Sequence, residues 1–499
     1  MNLDVSTLDF EDSRTWELLQ KGDTDGVFQL ESSGMKDTCV RVYPESMEDL
    51  IAILALYRPD TMSELEHYIR RKSGQEKITY LHPDLIPILR ATYGCMIYQE
   101  QVMAITKKFA GFSDAEADKF RKGIGKKKPE LVKEQAEKFR GRALENNYQQ
   151  DIIDTIADDL KAKGGYMFNK GHSTGYSITA YKTAYLKANY PVQFMCALLS
   201  NLKKPNGQTD YESLGIYIVK CNEMGIRVKN PDINYSQPQF TPVGNDILFG
   251  FNLIKSVGSV AIESIVKLRP FIGFVDFLDR TENISAINKT TVVNLVKAGA
   301  FDFTGEERQN LLLQYAHTRF EPAKGINKTH MSKLLSLNLI TEKDAWDKDY
   351  CLDKLNEYKL QEFINEWKEK VMIGEEFDWE FETLSYHLSG NPLDDIHIPK
   401  WDEYEEGYEK TEVAGTVIAI KKTKIKKGRS AGKQMAFITL DSLEGLREIT
   451  VFSNAWERQQ QKLYKGAVVV CRGKKQDKTL LLTGVMPIKQ WKEKFSKTM

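Results

Sequence analysis

The chain has 499 residues, 41% hydrophobic and 28% charged, and its 70 basic and 70 acidic side chains cancel. A single core rarely grows past about 250–300 residues, so three or four domains of ordinary globular composition are expected. There is no apolar run of about 18 residues, no secretory leader pattern, no CxxC pair among six cysteines and no HxH or HExxH among seven histidines; a membrane span, a disulfide scaffold and a zinc site are excluded, and a cytoplasmic location is expected.

In chain order, Leu3, Val5, Leu8 and Phe10 precede a short helical pattern around Trp16, Leu18 and Leu19. Residues 26–31 read as a brief extended element that ends at a helix start near Ser32. Residues 47–57 form a strong helix stopped by Pro59, and helical tracts follow at 98–110, 129–146, 151–163 and 177–200. The first 200 residues are therefore mainly α. Residues 201–250 are mixed, with a helix over 210–225 and short strands near Pro231 and Pro238, and a second helical region runs from 250 to 320. After acidic helices and loops the period changes to two: Val413, Gly415, Val417 and Ala419 alternate, then Phe437, Thr439 and Asp441, then Glu448, Thr450 and Phe452. Further strands at 468–471 and 480–483, with a helix over 453–463, complete the five-strand pattern of an OB-type barrel. The fold class is multidomain α+β, divided at 1–200, 201–325, 326–407 (an acidic helical connector), 408–488 (the barrel) and 489–499 (a basic tail).

The zero net charge hides an asymmetry. Residues 341–407 hold 20 acidic and 7 basic side chains, a net of −13, while 408–499 hold 8 acidic and 20 basic, a net of +12. A solvated surface accounts for either block alone; side by side they indicate that the second is built to meet phosphate.

Four constellations carry chemistry. Arg121, Lys122, Lys126, Lys127 and Lys128 place five cations within eight residues around two glycines, where a backbone can approach an anion and fixed charge can meet a polyphosphate; the alternative is a solvated basic loop ahead of the helix at Pro129. Tyr166-Met-Phe-Asn-Lys-Gly-His-Ser-Thr-Gly-Tyr176 offers Asn169 and His172 to a sugar or base edge, Lys170 to a phosphate and Tyr176 as a ring face, against the simpler reading of a structural histidine. Ile254-Lys-Ser-Val-Gly-Ser-Val-Ala-Ile-Glu-Ser-Ile265 resembles a helix-hairpin-helix module, placed at about 250–300, whose tight glycine hairpin presents backbone N–H groups to a DNA phosphate. Ser256 stands there for the usual first glycine, a plain helical turn is the alternative, and 288–299 is the partner half. The barrel carries Lys421, Lys422, Lys424, Lys426, Lys427 and Arg429, with Phe437, Phe452 and Trp456 as stacking rings of which at least one belongs to the core.

These residues, with Gly26-Val-Phe-Gln-Leu-Glu-Ser-Ser-Gly-Met-Lys36, Ala55-Leu-Tyr-Arg-Pro59, Thr92-Tyr-Gly94, Tyr98-Gln-Glu-Gln-Val-Met103, Gly125-Lys-Lys-Lys128, Phe168-Asn-Lys-Gly-His172 and Leu186-Lys-Ala-Asn-Tyr-Pro191, stand in the order of one family. Over residues 5–490 the chain resembles the C-terminal half of the bacterial replicative DNA polymerase III alpha subunit, polymerase family C. The resemblance implies fingers, a clamp-binding region with a helix-hairpin-helix pair, and an OB domain. It implies that Arg121 and Lys122 face the triphosphate of the incoming dNTP, and that Asn169, Lys170 and His172 line the nascent base pair and sugar. It implies that Lys126, Lys127 and Lys128 meet DNA, that Lys255, Ser256 and Gly258 grip the primer-template duplex, and that the barrel handles the single-stranded template.

The departures shape the functional expectation. Lys122 stands where the family usually has a second arginine, which keeps charge but loses the bidentate fork. Gly171 stands where a serine is common. The reaction needs carboxylates around two Mg²⁺ ions, which the family carries in a palm domain; Asp4, Asp9 and Asp12 do not sit in palm motifs. No catalytic residue and no metal ligand is assigned in this chain. The expectation is one part of a split DNA-directed DNA polymerase, inactive alone, with Mg²⁺ held by a separate chain carrying the palm and PHP domains, in the cytoplasm of a bacterial cell or phage-infected host. The alternative is a non-catalytic DNA-binding replication accessory protein. A sliding clamp is a further candidate partner, although Gln309-Asn-Leu-Leu and Gln361-Glu-Phe-Ile match a clamp-binding peptide poorly.

Overall fold

Capping side chains fix where the helices of this computed structural model begin; it describes residues 3–125, 129–164, 166–428 and 430–495. Asp12, Ser32 and Ser46 accept N–H bonds at the starts of α1 (Ser13–Gln20), α2 (Ser33–Val42) and α3 (Met47–Leu56). α4 (Met62–Lys72), the single turn α5 (Ile86–Leu89), α6 (Gln99–Ala110), α7 (Asp114–Gly125), α8 (Pro129–Glu145), α9 (Gln150–Gly164) and α10 (Lys170–Asn189) complete the first compact unit. That unit closes at Phe194, inside α11 (Pro191–Ser200), six residues before the boundary expected at 200.

The first unit has two cores. One packs α1–α4 around α10 through Leu50, Ile53, Ala180, Tyr181 and Ala184; the other packs α6–α9 through Phe109, Phe120, Phe139 and Leu160. Two sequence expectations differ from the fold here. Residues 26–31 are tight turns, tied by the Thr24 hydroxyl donating to the Leu30 carbonyl at 2.6 Å. The helix expected from about Ser177 begins at Lys170. Apolar periodicity could not reveal its first turns, because their buried face is made of Ser173 and Ser177 rather than of apolar side chains. Ser173 donates to the Ile51 carbonyl at 2.7 Å, so a small hydroxyl holds α10 against α3.

The second unit starts from α12 (Tyr211–Glu223) and a small sheet of β1 (Val228–Lys229), β2 (Thr241–Val243) and β3 (Asp246–Leu248) in the order β1-β3-β2. The helices α13 (Ser259–Leu268), α14 (Phe274–Thr281), α15 (Lys289–Lys297) and α16 (Arg308–Arg319) form the hairpin region. The acidic connector contributes α17 (Lys328–Ser336), α18 (Lys348–Val371) and α19 (Glu376–Leu384). β4 (Thr411–Lys424), β5 (Gln434–Ser442), β6 (Gly445–Val451), β7 (Val468–Gln476) and β8 (Thr479–Pro487) close a barrel in the order β4-β5-β6-β8-β7. Of the barrel's described pairings, β6–β8 is parallel and the others are antiparallel, and α20 (Ser453–Gln459) lies between β6 and β7 in the chain. Ile438, Leu440, Ile449, Val451 and Leu480 fill the interior, and α21 (Ile488–Phe495) follows the last strand. The multidomain α+β class with a closed five-strand barrel is what the alternating pattern predicts. No helix among the described residues is long and apolar enough to cross a membrane.

Candidate nucleotide and nucleic-acid sites

The first site is organised by two consecutive residues at the start of α6. Gln101 fixes that start: its Oε1 accepts from the N–H groups of Ile97 and Tyr98 at 2.8 and 2.9 Å, and its amide donates to Thr92 Oγ1. Tyr98 then bridges to Phe168, with the Gln99 N–H donating to the Phe168 carbonyl at 2.9 Å. Gln99 Oε1 accepts from Arg121 at 2.9 Å while its amide donates to the Met167 carbonyl at 3.3 Å. Glu100 accepts from Asn169 Nδ2 and from the Lys170 backbone N–H, both at 3.0 Å. The two segments that the sequence marks as nucleotide-facing, 121–122 and 169–172, are thus brought together by Gln99 and Glu100. Both lie in the Tyr98–Met103 motif, but a search for cations and imidazoles passes over a neutral amide and a carboxylate.

Each donor is held in place. Arg121 donates through Nε and a terminal nitrogen to Asp118 at 2.9 and 2.7 Å, and Lys122 pairs with the same carboxylate at 2.6 Å. Hydrogen bonds from Lys122 and Arg121 hold the Asp118 carboxyl below the usual carboxylate range. Asn169 caps α10, its Oδ1 accepting from the His172 N–H at 2.7 Å. Lys170 pairs with Glu48 at 3.0 Å and lies 5.4 Å from the centroid of the Tyr98 ring. The exposed His172 ring stands 4.4 Å from Tyr176 and 5.6 Å from Phe168. Arg58 carries no signal of a role in the sequence beyond its motif, yet it donates to the Tyr166 carbonyl at 2.7 Å and lies 4.8 Å from the Phe168 centroid, which braces the segment leading into α10. Its carbonyl-binding guanidinium is partly desolvated, which lowers its pKa. Beside Glu100 a cavity of about 620 Å³ opens, lined by Ile88, Met103, Ala104, Lys107 and Lys108 among others. Lys126, Lys127 and Lys128 lie outside the described residues.

In the second unit the hairpin at 254–258 is formed. Ser256 adopts φ +63°, the left-handed conformation for which glycine is usual, and is exposed; a side chain added at Gly258 would meet open space. Lys255, expected to grip DNA, is half-buried. Its ammonium donates to the Glu382 carbonyl at 2.7 Å and lies 5.4 Å from the Tyr211 centroid, and burial lowers its pKa. The exposed Ser256 and Gly258 form the open part of the turn. The partner half begins with Asn288 capping α15. A buried ion pair fixes the module to the connector: Arg308 donates to Glu380 at 2.7 Å, with the side chains 4% and 1% exposed. Burial alone would raise the Glu380 carboxyl, but the Arg308 charge and the bonds from Ser389 hold it low.

On the barrel, Lys421, Lys422 and Lys424 project from the end of β4, and Lys426 and Lys427 lie in the exposed turn beyond; Arg429 lies outside the described residues. Phe437 is half-buried and pairs in register with Lys421 on β4 and Thr450 on β6, while Phe452 is 49% exposed. Trp456, offered by the sequence as a stacking ring, is 3% exposed and belongs to the core, with Lys422 5.4 Å from its ring centroid. Gln309 and Gln361 both lie within helices, α16 and α18.

The first unit thus gathers Arg121, Lys122, Asn169 and Lys170 around the start of α6, and the second carries a hairpin module and a closed five-strand barrel. Comparison with known families agrees: residues 1–147 match the bacterial DNA polymerase III alpha subunit finger domain, and residues 225–311 match the helix-hairpin-helix motif. Over 494 residues the chain is 35% identical to the DNA polymerase III subunit alpha of Saccharopolyspora erythraea, covering 95% of this chain and 40% of that protein. The corresponding subunits of Aquifex aeolicus and Pseudomonas aeruginosa are each 34% identical, covering 95% of this chain and 38% and 41% of theirs. The chain is a homologue of bacterial DNA polymerase III alpha subunits, as the motif order indicates, and spans about two fifths of the length of these relatives.

Proposed function

We propose that this chain supplies the nucleotide-facing fingers and the DNA-holding modules of a DNA-directed DNA polymerase. The observation that carries the reading is the pairing at Gln99 and Glu100, which holds Arg121 and the 169–172 segment on adjacent residues. Arg121 and Lys122 neutralise the triphosphate of the incoming dNTP, where charge develops on the departing pyrophosphate. Asn169 and Lys170 orient the sugar and phosphates, and His172 with its neighbouring rings offers a face to the base. The hairpin at Ser256 and Gly258 holds the backbone of the primer-template duplex, and the barrel lysines follow the single-stranded template. Among the described residues no three His, Cys, Asp or Glu side chains are grouped to hold a metal ion. In this reading the Mg²⁺ ions and their carboxylates belong to a palm-bearing chain that assembles with this one.

The test is primer extension with the 499-residue chain, with a separately produced palm-bearing polypeptide, and with the two together. Nucleotide addition only by the mixture is the expected result. If the mixture binds DNA but adds no nucleotide, the chain is a DNA-binding accessory protein instead.

A further inference from the structure

Every donor that faces the proposed nucleotide already has a carboxylate of its own unit. Arg121 and Lys122 share Asp118, Lys170 reaches Glu48, and Asn169 with the Lys170 N–H converges on Glu100. The three acids come from three helices, α7, α3 and α6. Helical spacing accounts for Asp118, which stands three and four residues from its partners. It does not account for Glu100 or Glu48, whose partners lie 69–70 and 122 residues away. The acids also remain open to water, with side chains 32% exposed at Asp118 and 47% at Glu48. Exposed ion pairs of this kind are weak, so an anion with several charges can displace them. Asp118 Oδ1 accepts from both Nε and a terminal nitrogen of Arg121, a position that a single phosphate oxygen can take.

We infer that Asp118, Glu100 and Glu48 are placeholders for phosphate oxygens: they keep the donors extended and aligned beforehand and give way when a triphosphate enters. The inference rests on the proposed nucleotide role of Arg121 and Lys170. Its consequence is opposite in sign to that of a merely structural contact. Asp118→Asn keeps a hydrogen-bond acceptor beside Arg121 but removes the competing charge, so triphosphate affinity rises by about three- to fivefold, the strength of one exposed pair. A carboxylate needed only to shape the site would, when removed, weaken binding.

The experiment titrates the full chain with inorganic tripolyphosphate, by calorimetry and by the NMR signal of the Arg121 Nε–H group. Wild type, Asp118→Asn, Glu100→Gln and Arg121→Ala are compared, with thermal unfolding as a check on folding. Asp118→Ser repeats the test should the asparagine variant fold poorly. Binding that is lost in Arg121→Ala and strengthened in Asp118→Asn and Glu100→Gln is the expected result. Binding lost in Arg121→Ala but unchanged or weakened in both acid variants overturns the placeholder inference and leaves the nucleotide reading standing. No binding by wild type, or equal binding by wild type and Arg121→Ala, overturns the nucleotide reading and the inference with it.

Discussion

Cations near the α10 start and cations on the barrel are dressed differently. Arg121, Lys122 and Lys170 each have a carboxylate within 3.0 Å, whereas Lys421, Lys424, Lys426 and Lys427 have no ion-pair partner among the described residues. The difference fits the two tasks proposed above for these sites. A site for one polyphosphate in one pose needs donors aligned beforehand, and weak internal partners align them. A surface that follows a strand in any register needs mobile charge at full strength, which counterion release converts into affinity. The connector's net of −13 lies in the same unit as the barrel's +12, yet it leaves those four lysines unpaired among the described residues.

The largest effect that would sharpen this contrast separates core from surface on the barrel. Trp456→Ala should destabilise the second unit by about 3–5 kcal/mol in urea unfolding, as for a large ring removed from a packed interior. Phe437→Ala should leave unfolding nearly unchanged and cost about 1–3 kcal/mol of single-strand affinity, the value of one stacked base. Equal loss of stability in both would make Phe437 a core residue. Next, replacing Lys421, Lys422, Lys424, Lys426 and Lys427 by glutamine should reduce the salt slope of single-strand binding by about 3.5, at about 0.7 for each phosphate no longer neutralised. An unchanged slope would mean that the strand runs elsewhere. Asn169→Ala should cost about 1 kcal/mol of stability through removal of the α10 cap, and nucleotide affinity should fall with it.

The smallest effect concerns pH. Burial pushes the Asp441 carboxyl up, partly offset by the Tyr386 hydroxyl donating to it at 2.7 Å. A carboxyl whose folded pKa lies above its unfolded value favours the folded state when protonated. Its contribution is fully present below the ordinary range near about 4 and is lost as pH rises through the raised folded value. Asp441→Asn keeps an acceptor for Tyr386 and removes the buried charge. Urea midpoints of the variant should therefore fall less than those of the wild type between about pH 4 and 8, and parallel curves would contradict the account.

Much of the second unit was legible because its signals are local. Alternation at 413–419 and 437–441 gives β4 and β5, and a basic cluster outside a barrel is visible as composition. Of the first site, the sequence showed Arg121, Lys122, Asn169, Lys170 and His172. Its organising residues Gln99 and Glu100 carry no positive charge, and their partners Arg121 and the 167–170 segment lie 22 and 68–70 residues away. The start of α10 was hidden for a related reason: Ser173 and Ser177 give it a polar buried face, so hydrophobic period fails where a hydroxyl does the packing. Lys255 and Trp456 show the converse. Residue type suggested ligand contact for both; the fold places Trp456 in the barrel interior and rests the Lys255 ammonium on the Glu382 carbonyl.

The most direct test of the central claim measures two affinities of one variant, Arg121→Ala, in the complex with a palm-bearing chain: that for the incoming dNTP and that for primer-template DNA. The account predicts at least about a tenfold loss for the nucleotide, of the order expected when a charge-assisted bidentate interaction is removed, with DNA affinity nearly unchanged. Equal losses for both would contradict it.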